Sequence, residues 1–135
     1  MSKDQNIAAQ QRMGEAINAG DLDALDEVMS PDVVDHDPAP DHPAGTQGFK
    51  EFFTTMRTAF PDLHVDVEHL VADDENVAFA YRITGTHQGE FQGIAPTGQR
   101  VDARGVQISR FVDGRITERW GSSDEAGIIK QLGGG

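Results

Sequence analysis

The hydrophobic pattern of the chain changes its period once, and this change constrains the fold more than any other feature. Between Thr46 and Phe60 large apolar residues recur every three or four positions, which predicts a helix with one apolar stripe. After Pro61 apolar and polar residues alternate over 63–71 and 77–84, as they do in strands with one buried face. Helices followed by a run of long strands predict an α+β domain.

A helix at 4–20 and a short second helix precede this pattern, and a fourth helix follows the strands. The first helix ends at Gly20, and Asp21 is expected to cap the short second helix. The last helix covers 124–132, and we expect the glycines at 133–135 to form a flexible tail. A chain of 135 residues is long enough for one core, so residues 1–132 are predicted to form a single domain.

The strands are predicted to form a meander. Asp113-Gly114 is typical of a tight hairpin, and it joins the strands at 100–112 and 115–121. A long, curved antiparallel sheet wrapped around helices makes a cone with an open mouth, and such a cone holds a pocket. The predicted fold class is therefore α+β, a cone-shaped curved sheet wrapped around the N-terminal helices.

The charge of the chain narrows its partners. Eleven Lys and Arg residues against 23 Asp and Glu residues give a net charge of −12, so we expect neither nucleic acid nor an anionic membrane as a partner. The lack of cysteine excludes disulfides, thiolate nucleophiles and cysteine-ligated metals. No apolar run is long enough to span a bilayer and no secretory signal is visible, which predicts a cytoplasmic location.

Short motifs spread along nearly the whole chain resemble, in their order, those of one known family. They are NAGDLDAL at 18–25, VDHDP at 34–38, GTQGF at 45–49, FPDL at 60–63, TGTH at 84–87, RFVDGRITERW at 110–120 and QLG at 131–133. The set resembles the SnoaL-like polyketide cyclase (ester cyclase) family of the nuclear transport factor 2-like superfamily. The segment at 110–120 is the most specific part of the resemblance.

The resemblance implies a cofactor-free enzyme that closes a ring of a polyketide ester by intramolecular aldol condensation. In characterised members an aspartate just after the tryptophan of the last strand acts as acid and base, and its match here is Asp124. The family's Asp-His-x-Pro segment matches Asp35, His36 and Pro38, which implies that His36 faces the pocket. We expect the substrate to be a neutral or weakly polar small molecule that carries carbonyl groups.

The residues themselves leave other interpretations open. A carboxylate in an apolar pocket can act as an acid and a base, but Asp124 also fits a capping box formed by Ser122 and Glu125. His36 could polarise a carbonyl group, orient Asp124, or bond to the backbone of its own loop. The acids and histidines at 35–42 could hold a metal ion, but their spacing fits no established pattern, and we expect none.

A second group of residues is predicted to contact the substrate. These residues bring aromatic, hydroxyl, imidazole and guanidinium groups from strands, a helix and a loop, and they are Arg104, Tyr81, His87, Trp120, Phe53 and Phe91. Each aromatic residue on a strand or helix could instead belong to the core, Arg104 could face solvent, and Phe91 could lie in an exposed loop rather than a lid. His69 is expected on the apolar face of its strand, in the core or on the pocket wall.

Other functions remain possible for the same fold. The same carboxylate could serve a hydrolase or an isomerase, and a cone filled by its own side chains would be a non-catalytic binding or interaction module. A pocket large enough for a polycyclic ligand, with an inward-facing carboxylate, distinguishes these cases. The sheet also predicts a homodimer, because one set of helices cannot cover both of its apolar faces.

Overall fold

The computed structural model describes residues 2–38 and 43–133, and it confirms the α+β class with a curved sheet and N-terminal helices. The five strands are β1 (Met29–Asp35), β2 (His64–Ala72), β3 (Asn76–Thr86), β4 (Arg100–Val112) and β5 (Arg115–Ser123). Their order in the sheet is β1-β5-β4-β3-β2, and the sheet stays open. Neighbouring strands are antiparallel except for β1, which runs parallel to β5.

The helices are α1 (Lys3–Ala19), α2 (Leu25–Val28), α3 (Thr46–Ala59) and α4 (Glu125–Gln131), with a 3₁₀ turn at Leu22–Ala24. Gly20 ends α1 in the left-handed conformation, with φ of 75°, as predicted. The predicted side-chain cap at Asp21 is wrong, because its side chain accepts no capping hydrogen bond. None of the helices in the described ranges is long and apolar enough to cross a membrane.

Strand β1 is the element that the hydrophobic pattern does not predict. Pro31 lies within it, and a proline is tolerated in an edge strand because one side of such a strand has no partner for a backbone N–H. The pairing of β1 with β5 shifts register between Met29 and Val34. This parallel edge strand brings the segment that follows it beside the end of β5.

An irregularity in β2 turns its second half over. The register between β2 and β3 shifts between Val67 and His69, so that Leu70 packs against the core while His69 is exposed. The expectation that His69 lies in the core or on the pocket wall is therefore wrong. A bulge breaks the strict alternation of side chains, because one extra residue moves every later side chain of the strand to the opposite face.

The hairpin between β4 and β5 forms as predicted. Asp113 and Gly114 both have positive φ, 52° and 80°, which is the backbone geometry of a two-residue turn that matches the twist of the strands. Of the predicted flexible tail, 134–135 lie outside the described residues.

Two faces of the sheet follow from the alternation along β3, β4 and β5. The inner face packs towards the helices and carries Val77, Phe79, Tyr81, Ile83, Val101, Ala103, Gln107, Ser109, Phe111, Ile116 and Arg119. The outer face carries Ala78, Ala80, Arg82, Arg104, Val106, Ile108, Arg110, Glu118 and Trp120.

Candidate active site

A cavity of about 1060 Å³ lies between the inner face and the helices. Its apolar wall comes mainly from α3 and from inner-face strand residues, including Phe49, Phe52, Phe53, Met56, Val65, Phe79 and Ile83. This volume suits a polycyclic small molecule, and it shows that the interior is not filled by its own side chains. A cone filled by its own side chains, which a non-catalytic interaction module would have, is therefore not what the structure shows.

Polar groups cluster on the wall formed by β1, β5 and the start of α4. The carboxylates that line the cavity are Asp32, Asp35, Asp37, Asp124 and Glu125. Of the Lys and Arg residues in the described ranges, Arg119 alone lines the cavity. The site is thus apolar over most of its wall, with its charge concentrated at one end.

Asp124 lies where β5 passes into α4, and it lines the cavity as an exposed residue. Its Oδ1 accepts a hydrogen bond of 2.9 Å from the Gly127 N–H, so Asp124 is itself the N-cap of α4. The capping box predicted from Ser122 and Glu125 is wrong by this observation. The catalytic role of Asp124 stays a prediction.

Three of the predicted substrate-contact residues line the cavity. Tyr81 is 8% exposed, and burial raises its pKa against the smaller lowering effects of the Arg119 charge and a hydrogen bond with Ser123. Phe53 lies half-buried on α3. Phe91 is buried, with its ring centroid 5.4 Å from that of Phe60, so the loop before β4 covers the cavity on this side.

His36 lies on the other side of the sheet. Its ring stacks on Trp120, with 4.6 Å between centroids and 8° between planes, and its Nε2 lies 2.9 Å from Glu118 Oε2. The expectation that His36 faces the pocket, or orients Asp124 there, is therefore wrong. Alternation along β1 places Asp35 inward instead, beside Arg119.

Arg104 and Trp120 also belong to the outer face, so neither lines the cavity. The Arg104 Nε donates to Glu68 Oε1 at 3.0 Å, and its side chain is 69% exposed. Solvent-facing Arg104 was one of the alternatives left open by the sequence. Trp120 pairs across the strands with Ile108 and packs against His36 rather than against a pocket.

His87 is fully buried but does not line the cavity. Its Nδ1 accepts from the Thr97 N–H at 3.1 Å, which leaves the ring proton on Nε2, where no described residue accepts it. The ring packs 5.6 Å from Phe60, and the loop between β3 and β4 is folded around it. The predicted ligand contact of His87 is corrected to a position behind the cavity wall, where it anchors the loop that carries Phe91.

The hydrophobic pattern does not reveal the ion pair between Arg119 and Asp35. Arg119 Nη1 lies 3.1 Å from Asp35 Oδ1, and the two side chains are only 16% and 19% exposed. The register between β4 and β5 shifts, because Phe111 pairs with Ile116 but Arg110 pairs with Glu118. The residue between Ile116 and Glu118 has no register partner on β4, and Arg119 therefore lies on the inner face. Simple alternation from Ile116 would place Arg119 in solvent.

No group of three or more His, Cys, Asp or Glu residues within 2–38 and 43–133 is arranged to hold a metal ion. Asp41 and His42, which belong to the acid and histidine cluster at 35–42, lie outside the described residues. A metal-free and cofactor-free protein remains our expectation.

Comparisons with known proteins agree on one family. The family model described as SnoaL-like polyketide cyclase matches residues 7–132. The chain is 28% identical over 128 residues to the aklanonic acid methyl ester cyclase DauD of Streptomyces sp. (strain C5), a match covering 90% of this chain and 78% of the relative. It is 30% identical over 125 residues to the nogalonic acid methyl ester cyclase of Streptomyces nogalater, covering 90% and 92%. The crystal structure of wild-type IdmH from Streptomyces antibioticus has a TM-score of 0.83 and 34% identity, covering 96% and 99%.

Proposed function

The chain belongs to the SnoaL-like polyketide cyclase family, as its motifs indicate, and from this premise we propose that it closes a ring of a polyketide methyl ester without a cofactor. The observation that carries the proposal is a carboxylate, Asp124, on the wall of a large apolar cavity. Two related cyclases act on methyl esters by their names, which supports the same substrate class here.

The proposed reaction is an intramolecular aldol condensation. Asp124 removes a proton from a carbon that lies between two carbonyl groups, and the electron pair of that C–H bond moves into the enolate. The enolate carbon attacks a second carbonyl carbon of the same molecule, a C–C bond forms, and the carbonyl oxygen takes up the proton that Asp124 held. The atoms balance without a co-reactant.

The cavity suits this chemistry because it is apolar on most sides. The carbon acid is already activated by two carbonyl groups, so one positioned carboxylate can serve as base and then as acid. The apolar wall binds rings of a neutral or weakly polar substrate, and it strengthens the electrostatic interactions at the polar end. We propose that the enzyme acts in the cytoplasm on a small molecule, with neither nucleic acid nor membrane as a partner.

The test is product analysis with aklanonic acid methyl ester and nogalonic acid methyl ester. The proposal predicts a product of unchanged mass with a new C–C bond, visible as a new ring by NMR spectroscopy. Loss of the methyl ester would assign a hydrolase, and a shifted double bond without a new ring would assign an isomerase. Tight binding of both compounds without any product would point to a binding module.

We also propose that two copies of the chain pair through the outer face of the sheet. Val106 and Ile108 on this face are 57% and 44% exposed, and Val71 at its β2 edge is 56% exposed. No described helix covers them. Such an exposed apolar sheet surface favours a self-complementary contact.

The charges around this apolar centre are balanced, in contrast to the net charge of the whole chain. Arg82 and Arg104 pair with Glu68, and Arg110 pairs with Glu118. Two copies can therefore approach here without the repulsion that the net charge of −12 would otherwise impose. Of the surfaces described, the outer face is thus the one suited to a second copy.

Light scattering at tens of micromolar tests the dimer. We expect about twice the chain mass of 14.6 kDa for the natural protein and the single-chain mass for Ile108→Asp. Gln11→Glu adds the same charge on the exposed side of α1 and is expected to leave the dimer intact. A monomeric natural protein at this concentration would contradict the proposed dimer.

A further inference from the structure

Two glycines on the inner face leave room for two polar side chains to lie flat over the sheet. Gly105 on β4 and Gly121 on β5 are diagonal neighbours in the register of these strands. A Cβ atom on Gly105 would lie 2.6 Å from the Tyr81 hydroxyl oxygen, and a Cβ atom on Gly121 would overlap Arg119 Nη2. Because glycine has no Cβ atom, the phenol of Tyr81 and the guanidinium of Arg119 can lie over these two positions.

Hydrogen bonds to three residues hold the Arg119 guanidinium on one side. Nη1 donates to Asp35 Oδ1 at 3.1 Å and to the Asp37 carbonyl oxygen at 3.3 Å, and Nε donates to Gln107 Oε1 at 3.1 Å. No residue in the described ranges accepts a hydrogen bond from Nη2. Arg119 therefore brings a fixed positive group to the cavity wall with N–H donors left for a ligand.

The Tyr81 hydroxyl group lies at the neighbouring position over Gly105. Its surroundings include the Ser123 side chain and the positive charge of Arg119. A buried neutral phenol retains its proton and can donate it in a hydrogen bond to a ligand oxygen. Both groups line the same cavity as Asp124.

We propose that the Tyr81 hydroxyl and Arg119 Nη2 form a donor pair that binds the enolate oxygen of the substrate. The site would then recognise a 1,3-dicarbonyl compound or a hydroxyquinone in its anionic form. This inference rests on the proposed cyclase function and adds the groups that receive the charge which Asp124 generates. When Asp124 removes the proton, the electron pair moves to the enolate oxygen, and the two donors stabilise it there.

The charge distribution supports this placement. Carboxylates make up the other charged groups on the described cavity wall, and they would repel an anion anywhere except at Arg119. Donors that are fixed before the reaction and aimed at a developing oxyanion are an effective way to lower its energy in an apolar site. Hydrogen bonds to a charged oxygen are also stronger than those to a neutral carbonyl.

The probe for this proposal is 1,2-dihydroxyanthraquinone, whose colour changes when it loses a phenolic proton. We would measure the affinity of the natural protein for the neutral and anionic forms by titration on either side of the probe's own ionisation. The donor pair predicts that the anion binds about tenfold or more tightly than the neutral form. The bound probe should therefore ionise at a lower pH than the free probe.

Four variants test which groups cause the preference. Arg119→Met and Tyr81→Phe remove the donors, and each is expected to reduce the anion preference about tenfold. Gly121→Ala keeps every charge but displaces the guanidinium, so it should reduce the preference as well. Arg104→Met removes one positive charge from the outer face and should leave the anion preference unchanged. Thermal unfolding monitors the fold, and Gly121→Ala provides the test if Arg119→Met does not fold.

The outcomes separate this proposal from the proposed function. An anion preference that is lost in Arg119→Met and Gly121→Ala, but kept in Arg104→Met, supports the donor pair even if neither methyl ester is turned over. An equal affinity for both probe forms in the natural protein would overturn the donor pair. It would also be overturned by an equal loss in Arg104→Met and Arg119→Met, or by natural preference in Tyr81→Phe and Gly121→Ala. None of these results would disprove a cyclase that turns over its ester.

Discussion

Arg119 and Arg104 lie on adjacent strands of one sheet but on opposite faces of it, and their surroundings differ accordingly. Arg119 on the inner face is 16% exposed and is held by Asp35, Gln107 and a carbonyl oxygen. Arg104 on the outer face is 69% exposed and pairs with Glu68 in solvent. The comparison shows that a side chain can contact a ligand in the cavity only if it lies on the inner face of the sheet. Residue type and position in a motif do not decide this.

The largest expected effect comes from removing the Asp124 carboxylate from the wall of the cavity. Asp124→Asn should keep the fold but lower turnover of the methyl ester by about 10²–10⁴, the usual loss when a general acid or base is removed. Asp66→Asn, an exposed change on β2, is the matched control. Initial rates within a few-fold of the natural protein for Asp124→Asn would end its assignment as acid and base.

The second effect compares the two arginines directly. Arg119→Met leaves Asp35 mostly buried without its partner, and we expect a loss of roughly 2–4 kcal/mol in the free energy of unfolding. Arg104→Met removes an exposed pair and should cost no more than about 1 kcal/mol. Chemical denaturation of both variants measures the difference. Equal losses would contradict the contrast between the faces.

The sequence predicts the regular elements well, but it predicts poorly on which face of the sheet each side chain lies. The stripe of α3, the end of α1 at Gly20 and the Asp113-Gly114 hairpin follow from local rules, and all three are present. The register shifts in β2 and β5 do not follow from such rules, because pairing with a neighbouring strand decides where an extra residue is placed. His69 is misplaced for that reason, and simple alternation from Ile116 would misplace Arg119 in the same way.

The candidate site was predicted only in part, for the same reason. Asp124, Tyr81, Phe53 and Phe91 line the cavity. The motif places His36 in the pocket. The hydrophobic pattern does not predict β1, and the alternation of side chains along β1 turns His36 away from the pocket. A motif fixes which residues are close in the chain, but it does not say which of two neighbours faces inward.

A smaller effect concerns the ionisation of Tyr81, the single tyrosine of the chain. Burial raises its pKa above the ordinary value of 10.0, so the folded state favours the neutral phenol. The stability that Tyr81 contributes is present below that value and is lost as the pH rises through the raised pKa. Tyrosinate absorbance should therefore appear at higher pH in the folded protein than in denatured protein. Coincident titrations would show that the phenol is in solvent.

The smallest effect is that of salt. The net charge of −12 is concentrated in exposed loops such as the one at 73–75, and repulsion there should destabilise the fold at low ionic strength. The melting temperature should rise by a few degrees between about 0.01 and 0.15 M NaCl, because the screening length falls over this range. Turnover of a neutral ester should change much less. A flat or falling melting temperature would mean that the ion pairs of the outer face outweigh the repulsion.

The chain carries one tyrosine on the inner face and one tryptophan on the outer face, and together they test the division of the sheet most directly. With isotope-labelled Tyr and Trp, each gives the NMR signals of a single ring. Titration with 1,2-dihydroxyanthraquinone should shift the Tyr81 signals and leave those of Trp120 unchanged, whereas dilution of the protein should shift Trp120 and leave Tyr81 unchanged. A ligand that moves Trp120 but not Tyr81 would contradict the assignment of the inner face as the site of chemistry.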